Sequence, residues 1–160
     1  ETSWVVKPHP NLFYSAVNTG TFPSHEAFKE YLDAWDALPN AKVVVGGYYQ
    51  DVFKSSDGMI LDSCSFVAEY QYTHKPMLFL TRKTTKHNPL GKKILAANYH
   101  VDGADFDGIS NFIEEVLLRK HDTQIEARAK VFDEELNYCK ENGMLSSEMI
   151  FHTIASAVSK

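Results

Sequence analysis

The segment 62–69 (DSCSFVAE) brings hydroxyl and carboxylate side chains together directly after a short apolar segment, 58–61 (GMIL). If a helix begins at its two serines, Ser63 and Ser65, the free backbone N–H groups and the positive dipole end form a site for an anion. Glu69 then lies one turn beyond Ser65 on the same helix face, with roughly 6 Å of helical rise between them. The phosphates and the ribose hydroxyls of a nucleotide are separated by a similar distance. The segment at this corner, where the predicted strand meets the predicted helix, therefore predicts a clamp in which the serines bind a diphosphate and Glu69 binds a ribose diol.

Polar residues also follow two other predicted strands. His9 comes after the segment Ser3–Val6, and Arg82 opens a basic loop, 82–87 (RKTTKH), after the apolar segment Met77–Thr81. Ligands of open parallel sheets bind at the carboxyl ends of the strands, so both positions are candidates for the edge of a ligand site. Arg82 is expected to bind a phosphate of the ligand, and the other basic side chains of the loop suit the same group.

Each of these residues also has an ordinary structural use. The cluster from Asp62 to Ser65 could simply cap a helix, Glu69 could be a solvated surface residue, and His9 could hydrogen-bond its own loop. The seven histidines show no HxxxH or HxH spacing and the two cysteines no zinc spacing, so no metal site is predicted. Neither cysteine has an evident histidine partner. The commonest hydrolase, NTPase and NAD fingerprints do not occur, and no cofactor is predicted.

The bulk composition favours a compact soluble domain. The chain has 160 residues, 44% of them hydrophobic, which is sufficient for a core. A net charge of −5 gives no electrostatic reason to expect nucleic acid as a partner. The short apolar runs and scarce cysteines predict a cytoplasmic protein. Because the chain begins Glu-Thr-Ser rather than with Met, we also expect it to be part of a longer protein.

Short apolar strands that alternate with amphipathic helices predict an α/β domain built on a doubly wound parallel sheet. One helix is expected to run from the serine corner at 62–65 to the Lys-Pro at 75–76. The other predicted elements are strands Ser3–Val6, Lys42–Val45, Gly58–Leu61 and Met77–Thr81, and helices Ser24–Leu38, Tyr48–Ser56, Asp107–Lys120, Thr123–Asn142 and Glu148–Val158. We therefore predict a Rossmann-like ligand-binding domain over 1–105 and C-terminal helices over 106–160 that pack on it.

The segments 7–10 (KPHP) and 62–81 (DSCSFVAEYQYTHKPMLFLT) resemble the C-terminal, nucleotide-binding half of GT-B transferases, which have two Rossmann-like domains. The likeness is closest to the CDP-glycerol:polyglycerophosphate glycerophosphotransferase family of teichoic acid and capsule synthesis. Members of that family carry a His-Pro motif after one strand. They also carry Asp-x-Ser-Ser-x-x-x-Asp/Glu after another strand, followed by Lys/Arg-Pro before an apolar strand. Asp62, Ser65 and Glu69 fit the second pattern, whereas Cys64 replaces its first serine. The resemblance covers roughly residues 4–82.

The resemblance implies a role for each matched residue. His9 would contact the donor phosphates or act as an acid that assists departure of the CMP-type leaving group. Ser63 and Ser65 would hold the phosphates, Glu69 the ribose, and Asp62 would shape the site. The implied activity is transfer of glycerol phosphate from CDP-glycerol, or a related nucleotide-activated donor, to a polymer or lipid-linked acceptor. A missing N-terminal domain of the same chain would supply the acceptor-side base, so this part alone would bind the donor without turnover.

Two other functions remain open from the sequence. The same corner resembles that of UDP-N-acetylglucosamine 2-epimerases, and the KPHP segment resembles capsule-type sugar transferases. A nucleotide-sugar enzyme of GT-B fold is therefore the alternative within the same architecture. A non-catalytic α/β interaction domain is the alternative of another class. For the transferase, the implied location is the cytoplasm, with or without peripheral attachment to the inner face of the cell membrane.

Overall fold

A computed structural model describes residues 2–159 of the chain, which divides into two compact units. The first ends at Ser55 and the second begins at Ser56. This boundary lies far upstream of the one predicted at residues 105 and 106. The strands of both units are parallel, so the mixed α/β class with parallel sheets is confirmed.

The first unit contains a two-stranded parallel sheet and three helices. Its elements are β1 (Trp4–Val6), α1 (Leu12–Asn18), α2 (His25–Asp36), β2 (Ala41–Val43) and α3 (Gln50–Ser55). Helix α2 is the predicted amphipathic helix, and the Ser24 hydroxyl caps it by accepting the Ala27 N–H at 3.2 Å. The ring of Phe28 on this helix is buried and packs edge-on against Phe13 and Phe22. Phe28 is one of the buried apolar residues of this unit, together with Ala16 and Phe53.

The second unit contains a three-stranded parallel sheet in the order β3-β4-β5. Its elements are β3 (Met59–Leu61), a 3₁₀-helix (Glu69–Thr73), β4 (Met77–Thr81), α4 (Pro89–Ala96), β5 (Tyr99–Asp102), α5 (Phe106–Asn111) that continues as a π-helical segment (Phe112–Leu118), α6 (Ile125–Glu135), α7 (Tyr138–Asn142) and α8 (Ser146–Val158). Among residues 2–159, none of these helices combines the length and apolar character needed to cross a bilayer.

Both faces of the three-stranded sheet are covered. Leu78 of β4 packs on one face against Phe112 and Val116 of the π-helical segment. Because side chains alternate along a strand, the neighbouring Phe79 points to the opposite face. There its ring meets the imidazole of His87, in the loop that leads to α4. Burial on both faces explains why β3 and β4 are almost entirely apolar, whereas the residues of β5 alternate between half-buried and exposed.

The predicted helix after β3 is wrong. Residues 62–68 form bends and turns, and only Glu69–Thr73 is helical, as a 3₁₀-helix. The sequence of this segment explains why no regular α-helix forms, because Asp, Ser, Cys, Thr, Val and aromatic residues are all weak helix formers. Short polar side chains such as Ser63 and Ser65 also compete for backbone hydrogen bonds.

Four further elements differ from the sequence prediction. The predicted helix Thr123–Asn142 is interrupted at Leu136 and Asn137, which separate α6 from α7. Helix α4 and strand β5 lie in a stretch for which no element was predicted. Helix α1 was likewise not predicted. Of these, α4 and β5 matter most, because both contribute to the candidate site.

Candidate functional site

The carboxyl ends of the three strands of the second unit meet at one edge of the sheet. Register pairs Leu61 with Phe79, and Thr81 with Asp102, so the loops that follow the strands emerge side by side. Two cavities lie at this edge, one on each side of the end of β4. Thr81 and Arg82 line both of them. Ligand sites of parallel α/β sheets are expected at this edge.

The first cavity has a volume of about 370 Å³ and carries two carboxylates, Asp62 and Asp102. The guanidinium of Arg82 forms an ion pair with Asp62 at its rim. One oxygen of Asp102 accepts the backbone N–H of Ala104 at 2.9 Å, which fixes this carboxylate in the turn after β5. Carboxylate oxygens accept hydrogen bonds from hydroxyl groups, so this cavity suits a ligand part that is rich in hydroxyls.

The second cavity has a volume of about 320 Å³ and is lined by basic side chains over an apolar floor. Its residues are Phe79, Thr81, Arg82, Thr85, His87, Lys92, Leu95, Ala96 and His100. No carboxylate belongs to this lining. Ammonium, guanidinium and imidazole groups donate hydrogen bonds to phosphate oxygens, and the hydrogen bonds are stronger when both partners are charged. The second cavity is therefore suited to a phosphate or a diphosphate.

Three elements of the second unit hold these basic residues in place. Lys92 projects from α4, whose first turn is fixed by Pro89 and by the Asn88 side chain, which accepts the Gly91 N–H at 2.7 Å. His100 is part of β5 and is paired in register with Phe79. The Thr81 hydroxyl donates a hydrogen bond to the Val101 carbonyl at 3.0 Å, so the ends of β4 and β5 are tied together.

The structure brings together two of the predicted site residues, Asp62 and Arg82. The predicted anion site at a helix N-terminus is wrong, since Ser63 and Ser65 lie in the irregular segment 62–68. Neither serine lines either of the two cavities.

The ribose and catalytic candidates lie outside these two cavities. Glu69 is exposed at the start of the 3₁₀-helix, so it is not one helical turn beyond a capping serine. His9 belongs to the first unit, where it is exposed and its Nδ1 accepts the backbone N–H of Asn11 at 3.1 Å. This is the hydrogen bond within its own loop that was the structural alternative to a catalytic role for His9. The catalytic role of His9 stays a prediction.

Sequence reasoning missed Asp102, Lys92 and His100 because it assigned no element to residues 88–105. Their signals were present but short. Asn-Pro at 88–89 is the pattern of a capped helix start, and the four residues at 99–102 (YHVD) alternate between apolar and polar types. Sequence reasoning also missed a contact between the thiol of Cys64 and the imidazole of His87.

Across residues 2–159, no group of three or more His, Cys, Asp and Glu side chains is placed to hold a metal ion.

Comparisons of the chain with protein-family models, with curated protein sequences and with solved structures return no match. The type of ligand is therefore inferred from the side chains at the carboxyl edge of the sheet. Arg82 stands between a cavity with carboxylates and a cavity with basic side chains. This arrangement suits a ligand with hydroxyl groups at one end and phosphate at the other.

Proposed function

We propose that the second unit binds a nucleotide-activated donor of the CDP-glycerol type at the carboxyl edge of its sheet. The observation that carries this proposal is the pairing of an acidic and a basic cavity on either side of Arg82. A nucleoside diphosphate joined to an alcohol has a matching distribution of groups, because ribose or glycerol hydroxyls flank a diphosphate. The position at strand ends agrees with the usual ligand site of parallel α/β sheets.

In this arrangement Lys92, His87 and His100 bind the diphosphate, and Asp102 accepts hydrogen bonds from hydroxyl groups. Arg82 keeps its ion pair with Asp62 and uses other guanidinium N–H groups for the ligand, since the guanidinium has five donors in all.

The proposed reaction is that of a glycerophosphotransferase of GT-B architecture, in which this chain is the donor-binding, doubly wound half. Breaking the pyrophosphate linkage places negative charge on the departing CMP phosphate. Fixed cationic groups such as Lys92 stabilise that charge electrostatically as it develops. A preceding domain would contribute the acceptor site. A cytoplasmic position, with the acceptor polymer at the inner face of the membrane, follows from the same proposal.

Calorimetric titration with CDP, CMP and UDP tests the proposal. We expect CDP to bind, and Lys92→Gln to weaken binding by at least about tenfold, because a hydrogen bond to a charged group contributes about 1.5–3 kcal/mol. Lys93→Gln is the matched control. Lys93 is the next residue of α4, but its ammonium pairs with Glu135 and it does not line the basic cavity.

Equal affinities of the wild type and Lys92→Gln for CDP would contradict the proposed phosphate site. A clear preference for UDP would instead favour a nucleotide-sugar enzyme of the same architecture. If the folded protein binds none of the three nucleotides at millimolar concentration, the chain is better described as a non-catalytic interaction domain.

A further inference from the structure

Cys64 and His87 form a side-chain contact between two loops at the carboxyl edge of the second sheet. The Cys64 Sγ lies 3.7 Å from the His87 Nδ1. Cys64 belongs to the irregular segment after β3, and His87 ends the basic loop after β4. The thiol is exposed, so a reagent in solution can reach its sulfur.

The imidazole of His87 is held by structured neighbours on both sides. Its ring packs edge-on against the buried ring of Phe79, with 5.1 Å between the centroids. The next residue, Asn88, caps α4. The contact with Cys64 is therefore made by an imidazole that a strand and a helix hold in place. In the tautomer with hydrogen on Nε2, the Nδ1 atom is free to accept the thiol proton.

The charges around this pair favour a negatively charged reagent. His87 lines the basic cavity together with Arg82, Lys92 and His100, and no carboxylate belongs to that lining. Asp62, which lies at the same corner as Cys64, is already paired with Arg82. Such surroundings attract anions.

We propose that Cys64 and His87 act as a thiol–imidazole pair that reacts with anionic disulfides, so that Cys64 is a site of reversible mixed-disulfide modification. His87 Nδ1 accepts the proton of the Cys64 thiol, and the resulting thiolate attacks one sulfur of the disulfide. A new S–S bond forms to Cys64 while the original S–S bond breaks. The second sulfur departs as a thiolate and takes up a proton, so Cys64 is oxidised and half of the reagent is reduced.

This inference shares His87 and the basic cavity with the proposed nucleotide site, but it makes a separate chemical claim. It depends on the Cys64–His87 contact and the local charge, and it needs no nucleotide to bind. Failure to bind CDP would leave the Cys64 reaction unaffected, and a failure of the reaction would leave CDP binding unaffected. The two proposals can therefore be rejected separately.

The chain provides its own control for the test. Cys139 on α7 is also exposed, and among the described residues it makes no contact with an imidazole. The protein is treated with oxidised glutathione, an anionic disulfide, and the modified fraction of each cysteine is followed by mass spectrometry. We expect Cys64 to react at least about tenfold faster than Cys139, a ratio typical of a modest base effect.

His87→Phe then separates the role of the imidazole from that of the loop. The phenyl ring retains the packing against Phe79 but cannot accept a proton. We expect the Cys64 rate to fall to within about threefold of the Cys139 rate, with the Cys139 rate unchanged. The excess rate of Cys64 is also expected to shrink with the neutral reagent bis(2-hydroxyethyl) disulfide. Equal rates at the two cysteines in the wild type would overturn the proposal, and so would an unchanged ratio in a folded His87→Phe variant.

Discussion

Replacing Asp122 by Asn is expected to lower the free energy of unfolding by about 3–5 kcal/mol, the usual cost of removing one partner from a buried ion pair. The Asp122 carboxylate pairs with the Arg128 guanidinium, and their side chains are only 9% and 3% exposed. Asp122 also accepts hydrogen bonds from the Tyr99 hydroxyl at 2.9 Å and from the Gln124 N–H at 3.1 Å. The amide has nearly the size of the carboxylate but no charge, so the variant leaves Arg128 as a buried cation without its counter-ion.

The pair also predicts how stability depends on pH. Burial by itself raises the pKa of Asp122, but the hydrogen bonds from Arg128, from the Gln124 N–H and from Tyr99 outweigh it and hold this pKa below its usual value. A lowered pKa in the folded state adds stability that is present above the unfolded-state pKa of about 3.9. That stability is lost as the pH falls through the folded-state pKa. The difference in stability between the wild type and Asp122→Asn should therefore shrink on acidification below about pH 4.

Urea unfolding at pH 7 and at several acidic pH values measures both effects. Glu115→Gln is the matched control, because its 2.6 Å pair with Arg119 lies at the surface and should contribute less than about 1 kcal/mol. A loss below about 1 kcal/mol for Asp122→Asn would contradict the expectation that the pair holds α6 against the start of β5.

Truncation of Phe79 to Ala is expected to destabilise the second unit by about 3–5 kcal/mol, the usual range for a buried aromatic residue. Phe79 is 0% exposed at the centre of β4, and its ring supports the imidazole of His87. The variant loses apolar burial and leaves a cavity under the candidate phosphate site. Thermal or urea unfolding followed by circular dichroism measures the change.

Phe106→Ala is the control for this truncation, since Phe106 is 75% exposed at the start of α5. The same change in side-chain volume should alter stability there by no more than about 0.5 kcal/mol. Similar losses in the two variants would contradict the assignment of Phe79 to the core. A folded Phe79→Leu variant, expected to cost less than about 1.5 kcal/mol, would then show whether His87 still supports the reactivity of Cys64.

The sequence predicted elements well where local signals agreed. Helix α2 combines apolar positions at helical spacing with a capping residue, Ser24, and its bounds were predicted to within two residues. Strands β3 and β4 are apolar runs between breakers, and they were also correctly predicted. In the corner at 62–68, the expectation of a helix depended on the capping serines alone. The weak helix formers at 62–67 favour the irregular structure found there instead.

The candidate site was harder to predict, because its residues come from separate strands. Parallel pairing predicts that loops after neighbouring strands lie together, and Asp62 and Arg82, which follow β3 and β4, form an ion pair. Without β5 in the prediction, Asp102 and His100 could not be added. The contact of Cys64 with His87 depends on the path of two irregular loops, which neither periodicity nor propensity determines.

The most direct test of the central proposal is an amide chemical-shift map of the protein during titration with CDP. Binding at the carboxyl edge predicts the largest shifts at Asp62, Arg82, Lys92 and the end of β5, with smaller shifts in Lys92→Gln at equal CDP concentration. Shifts confined to other parts of the chain, or no shifts at millimolar CDP, would contradict the proposal that this edge binds a nucleotide-activated donor.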